Sequence, residues 1–364
     1  MSVGRTDILL VSLGTTLGWR VSDEILLGQL RQAGVSARGV TMGFGLAGRL
    51  RRGYPVNDLV EMNAARRAIR AAVARFDPLA VIVSSTTAGM LAPELGRPYA
   101  VRLDAPARMN RPGARNALLH GLEARSLARA RLVLPLSGAA IAELPEGHAP
   151  AVVVSPPVTP SGEAAAERER VAIAYVPDPK AKGLDVLVAA WGLAAVPDAR
   201  LEVYGLEPTR ARAHLARHGV REPDSLELRG TVAAADFRAR MRAALVYAAG
   251  ARWEDFGQAP LEALADGALL ATVASGGPFE ALRPARELAP ERVAERISPE
   301  ELARAIAAAF EMPAARAAAY RAGARELLEP LRPEAVQETI EREVLPNLLP
   351  VPMPPRPPRA DGGG

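Results

Sequence analysis

Two hydrophobic rhythms take turns along this chain. Short unbroken apolar runs read as buried strands, and stretches with apolar residues three and four apart read as helices. In the first half, "DILLVSL", "VSARGVTM", "PLAVIVSS", "PYAVRLD" and "RLVLPLS" have the strand pattern, and "AVVVSPPV" ends on a proline pair that closes the series. Residues 57–75, with Leu59, Ala65 and Ile69 on one face, and residues 114–130 have the helix pattern. Ser22 reads as a helix N-cap, with Asp23 and Glu24 in the first turn behind it. The second half repeats the alternation. "VAIAYV", "RLEVYG", "SLELRGT", "ALVYAAG" and "ALLATVAS" are strands, and helices are expected over 183–195, 207–218, 233–243, 260–266, 299–329 and 333–344. Strands that alternate with helices in this way predict parallel α/β units.

The pattern breaks once, around residues 156–169, where Pro, Ser and Gly give way to a charge cluster. With 364 residues, that break divides the chain into two α/β domains of similar size. The expected organisation is an N-terminal Rossmann-like domain over 1–155, a linker over 156–169, a second such domain over 170–330 and a helix over 331–346 that packs back on the first domain. A Pro-rich, then Gly-rich tail over 347–364 is expected to lack fixed structure. In open parallel sheets, ligands bind outside the carboxyl ends of the strands. The loops after the strands are therefore where chemistry is sought.

Composition narrows that search. No cysteine is present, which excludes disulfides, thiolate metal sites and a cysteine nucleophile. The four histidines are scattered; His214 and His218 have the spacing of a helical metal pair but read as a solvated helix end before Gly219. The net charge of +4 is spread along helices without interleaved aromatics, so no nucleic-acid partner is expected, while contact with an acidic membrane surface stays open. The opening apolar run is too short for a signal core, and no stretch is long enough to span a bilayer. A cytoplasmic protein is expected, if anywhere at a membrane then at its inner face. The Ala- and Arg-rich, Lys-poor usage suggests a bacterial source.

Among the loops, "WEDFGQAPLEALADG" (253–267) stands out. A strand precedes it, Pro260 suits a first helical turn, Leu261, Leu264, Ala265 and Ala268 make a buried stripe, and Gly267 suits a helix stop. Glu254 falls in the loop and Glu262 in the first turn of the helix. Their spacing is uninformative, since Glu287 and Glu295 share it. On the residues alone, Glu262 fits a capping box as well as a binding role, and Glu254 a solvated loop as well as a site.

The segment resembles the E-G-F-G-x-x-x-x-E-A-x-A-x-G signature of retaining nucleotide-sugar glycosyltransferases of the group 1 type, which have the GT-B fold, two Rossmann-like domains facing across a cleft. Three further segments resemble that family in the same order: "KGLDVLVAAW", "LRGTV" and "ASGGPFEAL". The resemblance implies a metal-independent donor site with no cofactor beyond the nucleotide-sugar co-substrate. Glu254 would accept from sugar hydroxyls and Glu262 from the ribose. The amides around Phe256, Gly257 and Gln258 would face the sugar and diphosphate. Lys182 would bind the diphosphate, and Arg229, Thr231 and Val232 would border the base. The division is chemically sound, because hydroxyls need acceptors and phosphates need cations and free amides.

The chain departs from the family in two places. The family's Arg before the Lys is replaced within "YVPDPKAKG", and Lys180 could supply the second cation or be a solvated loop lysine. The family's His near the end of the fourth strand is replaced in "RLDAPARMN", where Asp104 could orient the acceptor hydroxyl or serve as a cap or ion-pair partner. His120 reads as a helix-face residue, and "SSTTAG" could also line the site. Gly14, in "SLGTTLGWR", could allow close backbone approach or merely a tight turn. The expected activity is sugar transfer from a nucleotide diphosphate donor to an acceptor hydroxyl with retention. The rivals are a nucleotide-sugar epimerase and a non-catalytic sugar- or nucleotide-binding protein on the same fold.

Overall fold

The structure, a computed structural model, describes residues 6–12, 14, 17–41, 56–90, 92–163, 165 and 167–349. Its chain forms two compact units. The first runs to Pro135 and takes in Glu143–Val154 and the segment from Gln337 onward; the second takes in Leu136–Ala142 and Ser155–Val336. Leu13, Thr15 and Thr16 of the first-strand loop, and residues 350–364 of the Pro- and Gly-rich tail, lie outside the described residues.

In the N-terminal unit the strands are β1 (Ile8–Ser12), β2 (Ala37–Thr41), β3 (Ala80–Ser84), β4 (Tyr99–Leu103) and β5 (Leu132–Pro135). They form one parallel sheet in the order β2-β1-β3-β4-β5. β1, β3 and β4 are buried along their whole length, as central strands covered on both faces must be. The edge strand β2 is mostly exposed and correspondingly carries Arg38 and Thr41. "AVVVSPPV" forms no strand beyond one bridge between Val133 and Ala151. Val152 N and Val154 N still donate to the Val133 and Pro135 carbonyls of β5, and Pro156 and Pro157, which have no N–H, end that pairing.

In the C-terminal unit β6 (Glu169–Tyr175), β7 (Arg200–Tyr204), β8 (Leu226–Gly230), β9 (Ala244–Ala249), β10 (Leu269–Val273) and β11 (Val293–Ala294) follow. Their parallel order is β11-β10-β9-β6-β7-β8. The central neighbours β6 and β9 send their following loops off side by side, and those loops carry Lys182 and Glu254. Aliphatic side chains fill this core: Val171, Ile173, Val246, Leu261 and Leu269 are almost wholly buried.

Several local expectations need correction. Ser22 does not cap a helix. The helix spans Leu17–Gln32, so Ser22 and Asp23 lie inside it, and both bond Arg102 of β4. A tertiary ion pair, not a cap, accounts for the Ser-Asp dipeptide. The signature helix begins at Gln258, with Gly257 as N-cap, so Glu262 sits in its second turn. The last helix is interrupted: Pro333–Thr339 passes into a π-helical turn, Ile340–Val344, before Leu345–Leu348. Within its unit, Arg131 Nε donates to the Asn347 carbonyl and Gln337 to that of Gln29. The segment read as a linker is tied down at its start, for Val158 N donates to Leu331 O and Ser161 N to Asp266.

Candidate active site in the C-terminal unit

Three loops of the C-terminal unit converge. After β6, the turn through Lys182 approaches the loop after β9 so closely that Arg252 N donates to Ala181 O at 2.8 Å. Gly183 makes this crossing possible. Its φ is +61°, and a Cβ there would lie 2.0 Å from the Gly250 carbonyl oxygen. The Lys-Gly dipeptide thus has a geometric cause: the glycine lets the lysine-bearing turn rest on the neighbouring strand end.

The third loop, "ASGGPFE", clasps the signature from the other side. Glu254 N donates to Gly276 O at 2.9 Å, Gly276 N to Arg252 O at 3.1 Å, and Glu280 N to Phe256 O at 3.1 Å. Gly277 has φ +87°, and a Cβ on it would lie 2.3 Å from Glu254 O. The Phe279 ring packs against Gly257, the left-handed N-cap of helix Gln258–Ala265. Hydrogen bonds on both sides therefore fix the backbone of Glu254. The family-like segments around Lys182, Glu254 and Gly277 are brought together.

At the centre, Lys182 Nζ donates to Glu254 Oε2 at 2.7 Å, with the side chains 25% and 9% exposed. Burial pushes the Glu254 carboxyl up, and contact with Lys182 pulls it back toward ionisation. The result is a desolvated carboxylate and a partly open ammonium at the mouth of a helix start. Pro260 is the third residue of that helix and has no N–H, while Leu261 N is spent on Gly257 O.

Glu262 faces its own set of partners. Its Oε1 accepts from Gln258 Nε2 at 3.0 Å and contacts Arg238 Nη1 at 3.1 Å. Arg238 also bonds Asp266 through Nε at 2.8 Å and Thr159 O through Nη2 at 2.8 Å. One guanidinium thus holds the acid in mid-helix and the C-cap of the same helix. Sequence reasoning missed Arg238, which comes from a different helix, Ala234–Ala243. It also missed Arg252, whose two Nη atoms grip both Asp185 oxygens at 2.9 and 2.6 Å. Glu280 completes the missed set; burial raises its carboxyl, and the Gly138 amide hydrogen-bonds it.

The other expected residues are more dispersed. Lys180 is exposed and lines a cavity of about 300 Å³ with Asp178, Arg210, Arg217 and His218, rather than joining Lys182 at Glu254. Arg229 pairs with Glu227 and lies 3.5 Å from Glu202, within an ion network that also includes Arg200, Arg240 and Glu169. Thr231 and Val232 are exposed just after β8. In the N-terminal unit, Gly14 follows β1 with φ +59° and its N–H donates to Ser12 Oγ. Asp104 follows β4, and its Oδ1 accepts from Ala105 N at 2.7 Å. His120 Nε2 lies 2.8 Å from Arg111 O. Ser84, from "SSTTAG", is buried against Asp23 at 2.5 Å.

Residues 160–326 match the family model described as glycosyl transferases group 1. These residues make up nearly all of the C-terminal unit, which is therefore the part of the chain that is similar to that family. No curated protein matches the sequence. Among solved structures, the chain is similar to a sucrose-phosphate synthase from Thermosynechococcus elongatus (TM-score 0.70, 16% identity, 92% of this chain and 97% of that one). It is also similar to a UDP-forming α,α-trehalose-phosphate synthase from Burkholderia xenovorans (TM-score 0.71, 12% identity, 94% and 99%). A third is Anabaena Alr3699/HepE, solved in complex with UDP and glucose (TM-score 0.65, 16% identity, 92% and 98%). The fold is GT-B, with two parallel α/β sheets, and sugar transfer is the class of activity that the family match supports. Among the described residues no helix is long and apolar enough to cross a membrane.

Proposed function

We infer that this chain transfers a sugar from a nucleoside-diphosphate donor to an acceptor hydroxyl, with retention of configuration and without a metal ion. The observation that carries this reading is the half-open pair of Lys182 and Glu254, 2.7 Å apart. On donor binding, the diphosphate takes the ammonium and the sugar hydroxyls take the carboxylate. Each charge then exchanges one partner for another inside a fixed backbone frame. Glu262, anchored through Oε1, keeps Oε2 for the ribose diol.

In the transfer, the acceptor oxygen forms its bond to the anomeric carbon on the face the phosphate leaves. The carbon–oxygen bond to phosphate breaks with its electron pair, and the acceptor proton passes to a departing phosphate oxygen. Charge grows on that phosphate, and Lys182 and the free amides of the helix start stabilise it. This chain has no Asp-x-Asp motif to hold a catalytic cation. The UDP and glucose with which HepE was solved are ligands that fit the same chemistry.

Calorimetry with a panel of nucleoside diphosphates tests the donor site. Lys182→Ala and Glu262→Ala are each expected to weaken binding about tenfold or more, the loss of one charge-assisted contact. Unchanged affinity in both would remove the assignment. Turnover that vanishes with EDTA and returns with a divalent ion would overturn the metal-free mechanism.

A further inference from the structure

Behind the Lys182 turn lies a second cluster that the transfer reaction does not use. Asp185, in the first turn of helix Leu184–Ala194, faces His214, in the last turn of helix Pro208–Arg217, and His218, the C-cap of that helix. One ligand atom from each falls within 4.8 Å of the other two. We propose that Asp185, His214 and His218 form a binding site for one divalent transition-metal ion of the zinc class, which clips the two helices together outside the donor site.

Four features support the site. First, His214 Nε2 and Asp185 Oδ1 are 3.3 Å apart, long for a charged hydrogen bond. It is about the spacing, roughly 3.3 Å, of two ligands that each bind zinc tetrahedrally at about 2.0–2.1 Å. Second, His218 Nδ1 lies 2.9 Å from the His214 carbonyl, so Nδ1 carries the proton there and Nε2 presents its lone pair. Ligating histidines are commonly oriented by such a backbone carbonyl. The two imidazole rings lie side by side, with centroids 4.2 Å apart and planes tilted by 30°. Third, the histidines cluster at the C-terminal end of their helix, where the backbone dipole favours a cation. Fourth, Arg252 holds Asp185 by both oxygens, which orients the carboxylate, and the ion would take a lone pair left over from that fork, in competition with the guanidinium.

The same cavity contains Lys180, Arg210 and Arg217, all exposed. Water screens these cations, so they weaken capture without preventing it. Their charge also favours water or an anion at the ion's remaining position. The three ligands are not part of the Lys182–Glu254 contact, but Asp185 lies three residues after Lys182 and Arg252 joins it to the loop that carries Glu254, so the ion would brace the frame of the donor site and take no part in the transfer itself.

The test uses the full chain without an affinity tag, stripped with chelator and then exchanged into chelator-free buffer. Zn²⁺ titration is expected to show one saturable equivalent. Binding should weaken at least tenfold in His218→Ala, an exposed position whose loss leaves the fold intact, and stay unchanged in His148→Ala. Co²⁺ substitution is expected to give the strong visible bands of a four-coordinate ion in the wild type and none in His218→Ala. Absence of a saturable equivalent, or equal binding in His218→Ala, overturns the site. Because the readout is metal binding, the result stands apart from whether sugar transfer occurs.

Discussion

Each unit sets a basic and an acidic side chain against one another near the carboxyl ends of its strands, and the two pairs differ in one respect. In the N-terminal unit, Arg102 and Asp23 meet at 2.8 Å with side chains 1% and 6% exposed, Ser84 and Ser22 bonded to them and the guanidinium over Trp19. In the C-terminal unit, Lys182 and Glu254 meet at 2.7 Å with the lysine one-quarter exposed. Among the described residues the first pair is closed, with both side chains almost wholly buried. The second has an open side, a flexible ammonium and a rigid carboxylate. Burial and charge alone do not mark a site. An exchangeable partner does, and Lys, a point charge on a flexible stem, exchanges more readily than a guanidinium fixed in a fork.

The closed pair should be the more expensive to break. Arg102→Met leaves Asp23 buried without its cation and is expected to cost about 3–5 kcal/mol of stability, read as a shift of the urea midpoint. Adding Asp23→Leu should recover much of that loss, since it removes the stranded charge. A single variant as stable as the wild type would erase the distinction between the two pairs.

A second buried acid of the N-terminal unit sharpens the comparison through pH. Both Glu123 oxygens accept from Ala107 N at 2.9 Å, and burial raises its carboxyl to about 7. The folded form thus holds a proton that the unfolded chain, near 4.5, has released. The stability it contributes is fully present below about 4.5 and is lost as pH rises to about 7. Glu202 does the opposite: its bonds to Arg240, Tyr204 and Arg200 outweigh burial and hold it at about 2, so its contribution is lost as pH falls from about 4.5 toward 2. Glu123→Gln should remove the first window, worth about 3 kcal/mol at most, and leave the second. A urea midpoint with the wild-type pH profile between 4.5 and 8 would refute this.

For the open pair, function should fall before stability. Glu254→Gln removes a desolvated charge without stranding another, since Lys182 keeps contact with water, and is expected to change unfolding free energy by no more than about 1–2 kcal/mol. Under the donor-site reading, kcat should drop about 100-fold, as when one preorganised transition-state contact is lost. Nucleoside diphosphate affinity should hold within a few-fold. A variant that turns over normally would make Glu254 a second structural acid like Asp23.

The two pairs were unequally legible in the sequence. The Lys182–Glu254 frame depends on glycines that nothing else can replace, Gly183 against Gly250 and Gly277 against Glu254, and these leave a written trace. The alternation of strands and helices was equally plain, because central parallel strands must be apolar throughout. Arg102–Asp23 left only a Ser-Asp dipeptide that imitates a helix cap, because its partner lies 79 positions away. His214 looked like a solvated helix end, yet it is buried against Asp185, 29 positions distant. Ion pairs between distant elements have no period and no spacing, so local pattern cannot reveal them.

Arg238 is the instructive intermediate, structural at one end and adjacent to the site at the other. Its Nε serves buried Asp266, and its Nη1 serves Glu262. If Glu262 binds the ribose diol, Arg238 positions it by occupying Oε1 and leaving Oε2 free. Arg238→Lys keeps the charge but not the fork, and should weaken a nucleoside diphosphate by about 1 kcal/mol, roughly fivefold. The discriminating readout is the matching 2′,3′-dideoxynucleotide, which offers Glu262 no hydroxyl and should bind wild type and variant alike. Equal weakening of both ligands would show that Arg238 acts on the fold through Asp266, and would place it with Arg102 among the closed contacts.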